Sequence, residues 1–126
     1  MKIQLLGIKN ANEIVNLLNE TRIYVHPSYI DNSPNSLCEA QLLGVPSIAT
    51  NVGGISSLIE NGENGYLVSS NDPYFLAARI IQLLNDRSLL LKISKNAREK
   101  AWERHSKEKI LNQLIDTYKI IASSCK

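Results

Sequence analysis

Asp31 and Glu39 stand eight positions apart in the stretch DNSPNSLCEA, residues 31–40. A Ser-Pro-Asn-Ser turn separates them, and the run beyond it reads as a helix over 35–43 closed by Gly44. Asp31 then lies in a loop, with Glu39 about one turn inside the helix. Carboxylates at such positions accept hydrogen bonds from sugar hydroxyls. They also simply complement the positive end of a helix dipole, and the spacing alone leaves both readings open. A second feature narrows them. Thr50-Asn51-Val52-Gly53-Gly54 follows a strand and precedes a helix, so it offers small, backbone-rich surface. The loop through Ser33, Asn35 and Ser36 opens the other helix, where backbone amides and the dipole favour an anion such as a diphosphate. A ligand carrying both hydroxyls and phosphates suits such an edge.

The elements that must position these residues alternate. Residues 3–7 read as a short strand, and Asn10 or Asn12 caps a helix with Ile14, Val15, Leu17 and Leu18 on one face. Residues 22–26 are β-branched and aromatic and stop at Pro27. After the helix over 35–43 come a buried strand over 45–50, the Gly53-Gly54 turn, a short helix over 55–60, an Asn-Gly turn over 61–65 and a strand over 66–68. Asp72 caps a further helix with Pro73 at its first position, and helices over 89–102 and 107–122 complete the chain. Strands alternating with helices predict an α/β fold: a Rossmann-like three-layer sandwich with a short parallel sheet and C-terminal helices. In such sheets ligands bind beyond the carboxyl ends of the strands, which puts the 27–35 loop and the Gly53-Gly54 turn at one edge.

Composition limits what else is plausible. A chain of 126 residues supports one domain, residues 1–126, with one core. Fourteen basic residues against twelve acidic leave a net charge of +2, and the basic residues thicken only over 87–109, on helix. That is a solvated face, giving no case for nucleic acid. Nor do those cations gather opposite aromatic anchors, as a lipid-binding helix would require. Cys38 and Cys125 lie far apart, so no disulfide framework or metal cluster is expected and a reducing cytoplasm fits best. The N-terminal run is too short to read as a signal peptide, and no stretch approaches the roughly 18 apolar residues a membrane span needs. His26 reads as a local hydrogen-bond partner, Cys38 as a small buried hydrophobe, and Tyr66 and Trp102 as packing residues.

The run HPSYIDNSPNSLCEAQLLGVPSIATNVGGISSLIENGENGYLVSSND resembles the second Rossmann-like domain of retaining glycosyltransferases with the GT-B fold, the glycosyltransferase group 1 family. The family pattern is an acid, seven residues, a Glu followed by Ala, a Gly-x-Pro strand entry, a Gly-Gly turn and an Asn-Gly turn. Asp31, Glu39, Ala40, Gly44, Pro46, Gly53, Gly54 and Gly65 fill it in order. The resemblance implies a donor-binding domain that serves transfer of a glycosyl group from a nucleotide diphosphate sugar to an acceptor, with no cofactor and no metal. It gives Glu39 the ribose hydroxyls and Asp31 the donor sugar, as the catalytic acid. Ser33, Asn35, Ser36, Gly53 and Gly54 complete the donor site. Asp31 is one methylene shorter than the Glu usual there, and Ser57 stands where the family often has Glu. The resemblance also implies a longer enzyme, in which an N-terminal acceptor domain and a basic loop lie upstream. The 126-residue chain alone is then expected to be inactive, with peripheral membrane contact left to the full-length enzyme. The other readings are a noncatalytic nucleotide-binding or interaction module and a sugar-nucleotide epimerase of the same fold; the acid spacing favours transfer.

Overall fold

A computed structural model of the protein describes residues 2–124. Helix α1 (Ala11–Glu20) begins at Asn10, whose side chain accepts from the Glu13 amide while the Glu13 carboxylate accepts from the Asn10 amide. This reciprocal cap selects Asn10 over Asn12 as the start. Strand β1 (Tyr24–His26) follows, then α2 (Asn35–Leu42), β2 (Ser47–Thr50), a single 3-10 turn (Ile55–Ser57) and β3 (Tyr66–Val68). Helices α3 (Pro73–Asn85), α4 (Arg87–Arg104) and α5 (Lys107–Ser124) finish the chain. Asp72 and Asp86 cap α3 and α4, each accepting from the amide three residues on.

The sheet is parallel throughout, in the order β1-β2-β3, with Val25 opposite Ile48 and Ala49 opposite Leu67. Every residue of β2 is buried, as expected for a central parallel strand covered on both faces. Alternation along β2 divides the core. Ala49 packs with Leu37 and Cys38 of α2 and with Ile55, Leu58 and Ile59, while Ile48 packs with Tyr66, Val68, Leu83 and Ile93 under α3 and α4. Cys38 is thus the buried hydrophobe expected. Gly44 ends α2 with φ +74°, a left-handed position that suits glycine, and its carbonyl accepts from Ser94 Oγ of α4.

Three expectations fail in whole or in part. Residues 3–7 form no strand: among the described residues nothing pairs with the outer edge of β1, and Ile3, Leu5 and Ile8 are exposed. A strand needs a partner for its backbone groups, which β-propensity alone cannot supply. Trp102 is also exposed, because α4 buries the face bearing Ile93, Ala97 and Ala101 and carries Trp102 off it. The predicted helix over 55–60 shrinks to its 3-10 turn. Among the described residues no helix is long and apolar enough to cross a membrane, and no group of three or more His, Cys, Asp or Glu is placed to hold a metal ion.

Several cations of the basic stretch are paired within the fold. Lys100 pairs with Glu60 and Lys109 with Glu103, and Asn96 Nδ2 donates to the Glu63 carbonyl. Arg104 reaches inward. Its Nη2 donates to Oε1 of the fully buried Gln41 at 2.6 Å, and Gln41 Nε2 donates to the Leu58 carbonyl.

Candidate donor site

Pro27 ends β1 because it has no amide to continue a ladder, and the chain then loops back over the sheet edge. Thr50, the last residue of β2, fastens that loop by donating its hydroxyl to the Ser28 carbonyl. The backbone at Asp31 and Asn32 comes to rest on the Gly53-Gly54 turn. A Cβ at position 53 would overlap the Asp31 carbonyl oxygen, and one at 54 the Asn32 carbonyl oxygen. Gly53 also has φ +51°. The two glycines are therefore required by close backbone approach as well as by the turn. This brings together the two features that the sequence placed at one edge.

Pro34 is the N-cap of α2. Its carbonyl accepts from the Leu37 and Cys38 amides, but no side chain caps this helix. Among the described residues the amides of Asn35, Ser36, Gly53 and Gly54 have no hydrogen-bond partner in the chain. Asn35, Ser36 and Gly53 are exposed, as is Ser33. Uncapped amides at a helix start and free N–H groups in a glycine turn are the kinds of donor an anionic oxygen uses.

The acids differ in their surroundings. Glu39 is exposed on α2, and its carboxylate has no hydrogen-bond partner among the described residues, which leaves it free for a ligand. Asp31 is half-buried, with Oδ2 3.0 Å from His26 Nε2. His26 continues inward: Nδ1 lies 3.2 Å from the Tyr24 hydroxyl, which donates to Ser36 Oγ at 2.8 Å. His26 is a local hydrogen-bond partner, as expected, and the residue it holds is the candidate catalytic acid.

Beside this arrangement, on the α3 side, a cavity of about 360 Å³ opens across the ends of the strands. Ser28, Tyr29, Thr50, Ser70 and Asn71 help to line it. Tyr29 donates to Asn71 Oδ1 at 2.8 Å, and Asn71 holds a left-handed φ of +66°. Sequence reasoning did not find this cavity. The one local signal was Asn71, a residue type that tolerates the left-handed region, just before the Asp72-Pro73 helix start.

A parallel sheet with helices on both faces and a carboxyl-end site of this build is one half of the GT-B glycosyltransferase fold. The chain belongs to the glycosyl transferases group 1 family, whose model matches residues 1–100. The capsular polysaccharide biosynthesis glycosyltransferase CapM of Staphylococcus aureus is 33% identical over 111 residues, 88% of this chain and 29% of CapM. N-acetyl-alpha-D-glucosaminyl L-malate synthase of Bacillus anthracis is 42% identical over 82 residues, 65% of this chain and 22% of that protein. Among solved structures, Anabaena HepE in complex with UDP and glucose matches with a TM-score of 0.82 at 27% identity, covering 92% of this chain and 31% of HepE. The chain thus spans less than a third of the length of these relatives.

Proposed function

We propose that this chain is the donor-binding half of a retaining glycosyltransferase that moves a sugar from a nucleotide diphosphate sugar to a polysaccharide or glycolipid acceptor. One observation carries the reading: among the described residues the amides of Asn35, Ser36, Gly53 and Gly54 have no partner, and the Gly53-Gly54 turn touches the Asp31-Asn32 backbone that leads into α2, the helix bearing Glu39. The amides would hold diphosphate oxygens, Glu39 would accept from the ribose hydroxyls, and Asp31 would face the transferred sugar. HepE, whose structure holds UDP and glucose, supports this choice of ligand.

The chemistry asked of such a site is electrostatic and positional. A departing diphosphate gathers negative charge, and preoriented amides stabilise it without reorganisation. Cations for the rest of that charge, and the surface for the acceptor, would come from the longer enzyme, so the 126-residue chain would bind donor weakly and turn nothing over. The test is a titration of the chain with UDP, followed by amide NMR. Ser33, Asn35, Ser36, Gly53 and Gly54 are expected to shift together. Shifts confined to α4 and α5 would move the site elsewhere, and sugar transfer by the isolated chain at enzyme-like rates would refute the half-site reading.

A further inference from the structure

We propose that His26 is a positioning residue that couples Asp31 to the Ser36 hydroxyl, so that binding of a nucleotide sugar at this site takes up a proton at the His26 ring. The inference rests on the donor-site reading above and adds a proton inventory to it. Four side chains form one file: Asp31 Oδ2 to His26 Nε2 at 3.0 Å, His26 Nδ1 to the Tyr24 hydroxyl at 3.2 Å, and that hydroxyl to Ser36 Oγ at 2.8 Å.

Counting protons along the file gives two arrangements. A neutral imidazole has one N–H. Placed on Nε2, it donates to the Asp31 carboxylate, and Nδ1 must accept from Tyr24. The Tyr24 proton is then spent on the ring, so Ser36 has to donate to the Tyr24 oxygen and its O–H points inward. Adding one proton from solvent at Nδ1 reverses the file. The ring donates to Asp31 and to Tyr24, Tyr24 donates to Ser36, and Ser36 is left with its own O–H free. No other bond changes.

Ser36 lies in the first turn of α2, with its amide unpaired and its side chain exposed. A freed hydroxyl there adds a donor to the amides that would cradle a diphosphate. An anion that accepts from Ser36 therefore favours the protonated ring, and by reciprocity the protonated ring favours the anion. Around the ring, the titratable groups are Asp31 from the loop and Tyr24 from β1. On β2, Ala49 is the register partner of His26 and the Thr50 hydroxyl donates to the His26 backbone carbonyl, while Ser36 of α2 meets the file through the Tyr24 hydroxyl. Glu39 has no hydrogen bond to the ring among the described residues.

The experiment uses UDP-glucose as the probe, because its diphosphate is a diester and lacks the second ionisation near pH 6 of a terminal phosphate. His26 ring resonances are titrated with pH in the free and the probe-saturated chain. Saturation is expected to raise the His26 midpoint by about half a unit or more, with UDP-glucose binding about threefold weaker above the titration than below it. Tyr24→Phe and Ser36→Ala each cut the file while leaving His26 beside Asp31, and each is expected to remove most of that shift. Ser36→Ala lies on the exposed first turn of α2, so it remains informative if Tyr24→Phe perturbs the core. An unchanged midpoint in the parent chain, with the amides of Ser33, Asn35, Ser36, Gly53 and Gly54 still shifting, overturns the relay and leaves the donor site standing. Equal shifts in both variants also overturn it, since charge through space would then suffice. No shift at those amides removes the donor site and the relay together.

Discussion

Gly54 and Asn32 meet backbone to backbone, with no room at position 54 for even a methyl group. This contact, with its neighbour between Gly53 and Asp31, sets the height of the acidic loop over the glycine turn.

Gly54→Ala is therefore expected to push the 31–32 segment outward. Overpacking of this kind costs about 1 to 3 kcal/mol, and the displaced loop should also weaken nucleotide binding. Thermal unfolding and a UDP titration of the variant check both. A variant that melts and binds like the parent would show that the loops do not touch in solution.

Glu39→Gln separates binding from folding. The carboxylate is exposed and unpaired within the described chain, so the melting temperature should be unchanged. On the proposed donor reading, a charged acceptor for two ribose hydroxyls would become a weaker one, at about 1 to 3 kcal/mol of donor affinity. Equal affinity by calorimetry in a full-length enzyme would remove Glu39 from the site.

Arg104→Ala should cost stability through a single buried partner. The substitution strips the partner from Gln41 Oε1, which is fully buried, and an unsatisfied buried acceptor costs about 1 to 3 kcal/mol. Replacing both residues at once, Gln41→Leu with Arg104→Met, should recover part of the loss, since no polar group is then stranded. Urea denaturation of the two variants beside the parent decides the matter.

The cap of α1 carries a pH signature. The Asn10 amide, and then Lys9, hold the Glu13 carboxyl below its usual value of 4.5. A depressed folded value means that ionised Glu13 favours the fold. Its contribution is present above the unfolded value and is lost as pH falls through the lower, folded one. Glu13→Gln should therefore be less stable than the parent at neutral pH and converge with it in acid. Asn10→Ala, which removes the other half of the cap, should cost about 1 kcal/mol at neutral pH.

Helix α5 should exchange its amide hydrogens well before α2 and β2. None of its residues is buried, and Ile110, Leu111, Leu114, Ile115 and Tyr118 are exposed. An element with so little apolar surface committed opens at low free energy. Protection of α5 equal to that of β2 in the isolated chain would contradict this.

What could be read from the sequence was local punctuation. Pro27, Gly44, Gly53-Gly54 and Asp72-Pro73 each mark a boundary by a backbone constraint that acts within a few residues, and the structure keeps every one of them. Residues 3–7 misled because strand formation depends on a partner, and their alternation says nothing about whether one is there. Trp102 misled because the face a long helix buries is set by what it packs against. The pairing of Asp31 with His26 was hidden by the reversal at Pro27, which folds a five-residue separation back on itself. Arg104 with Gln41 and Tyr29 with Asn71 link positions 63 and 42 residues apart, beyond the reach of any periodic pattern.

The long reach of Arg104 also bears on how the chain is made. Helix α2 emerges during synthesis 63 residues ahead of the guanidinium that satisfies Gln41. Until α4 has been translated and docked, that amide oxygen is best served by water, so the face of α2 around it cannot close dry. The nascent chain should accordingly hold a loosely hydrated β1–α2–β2 layer through most of its elongation. Lasting compaction would come only as the end of α4 arrives, leaving a window in which the apolar side chains of Leu37, Ile55 and Ile59 are open to chaperones.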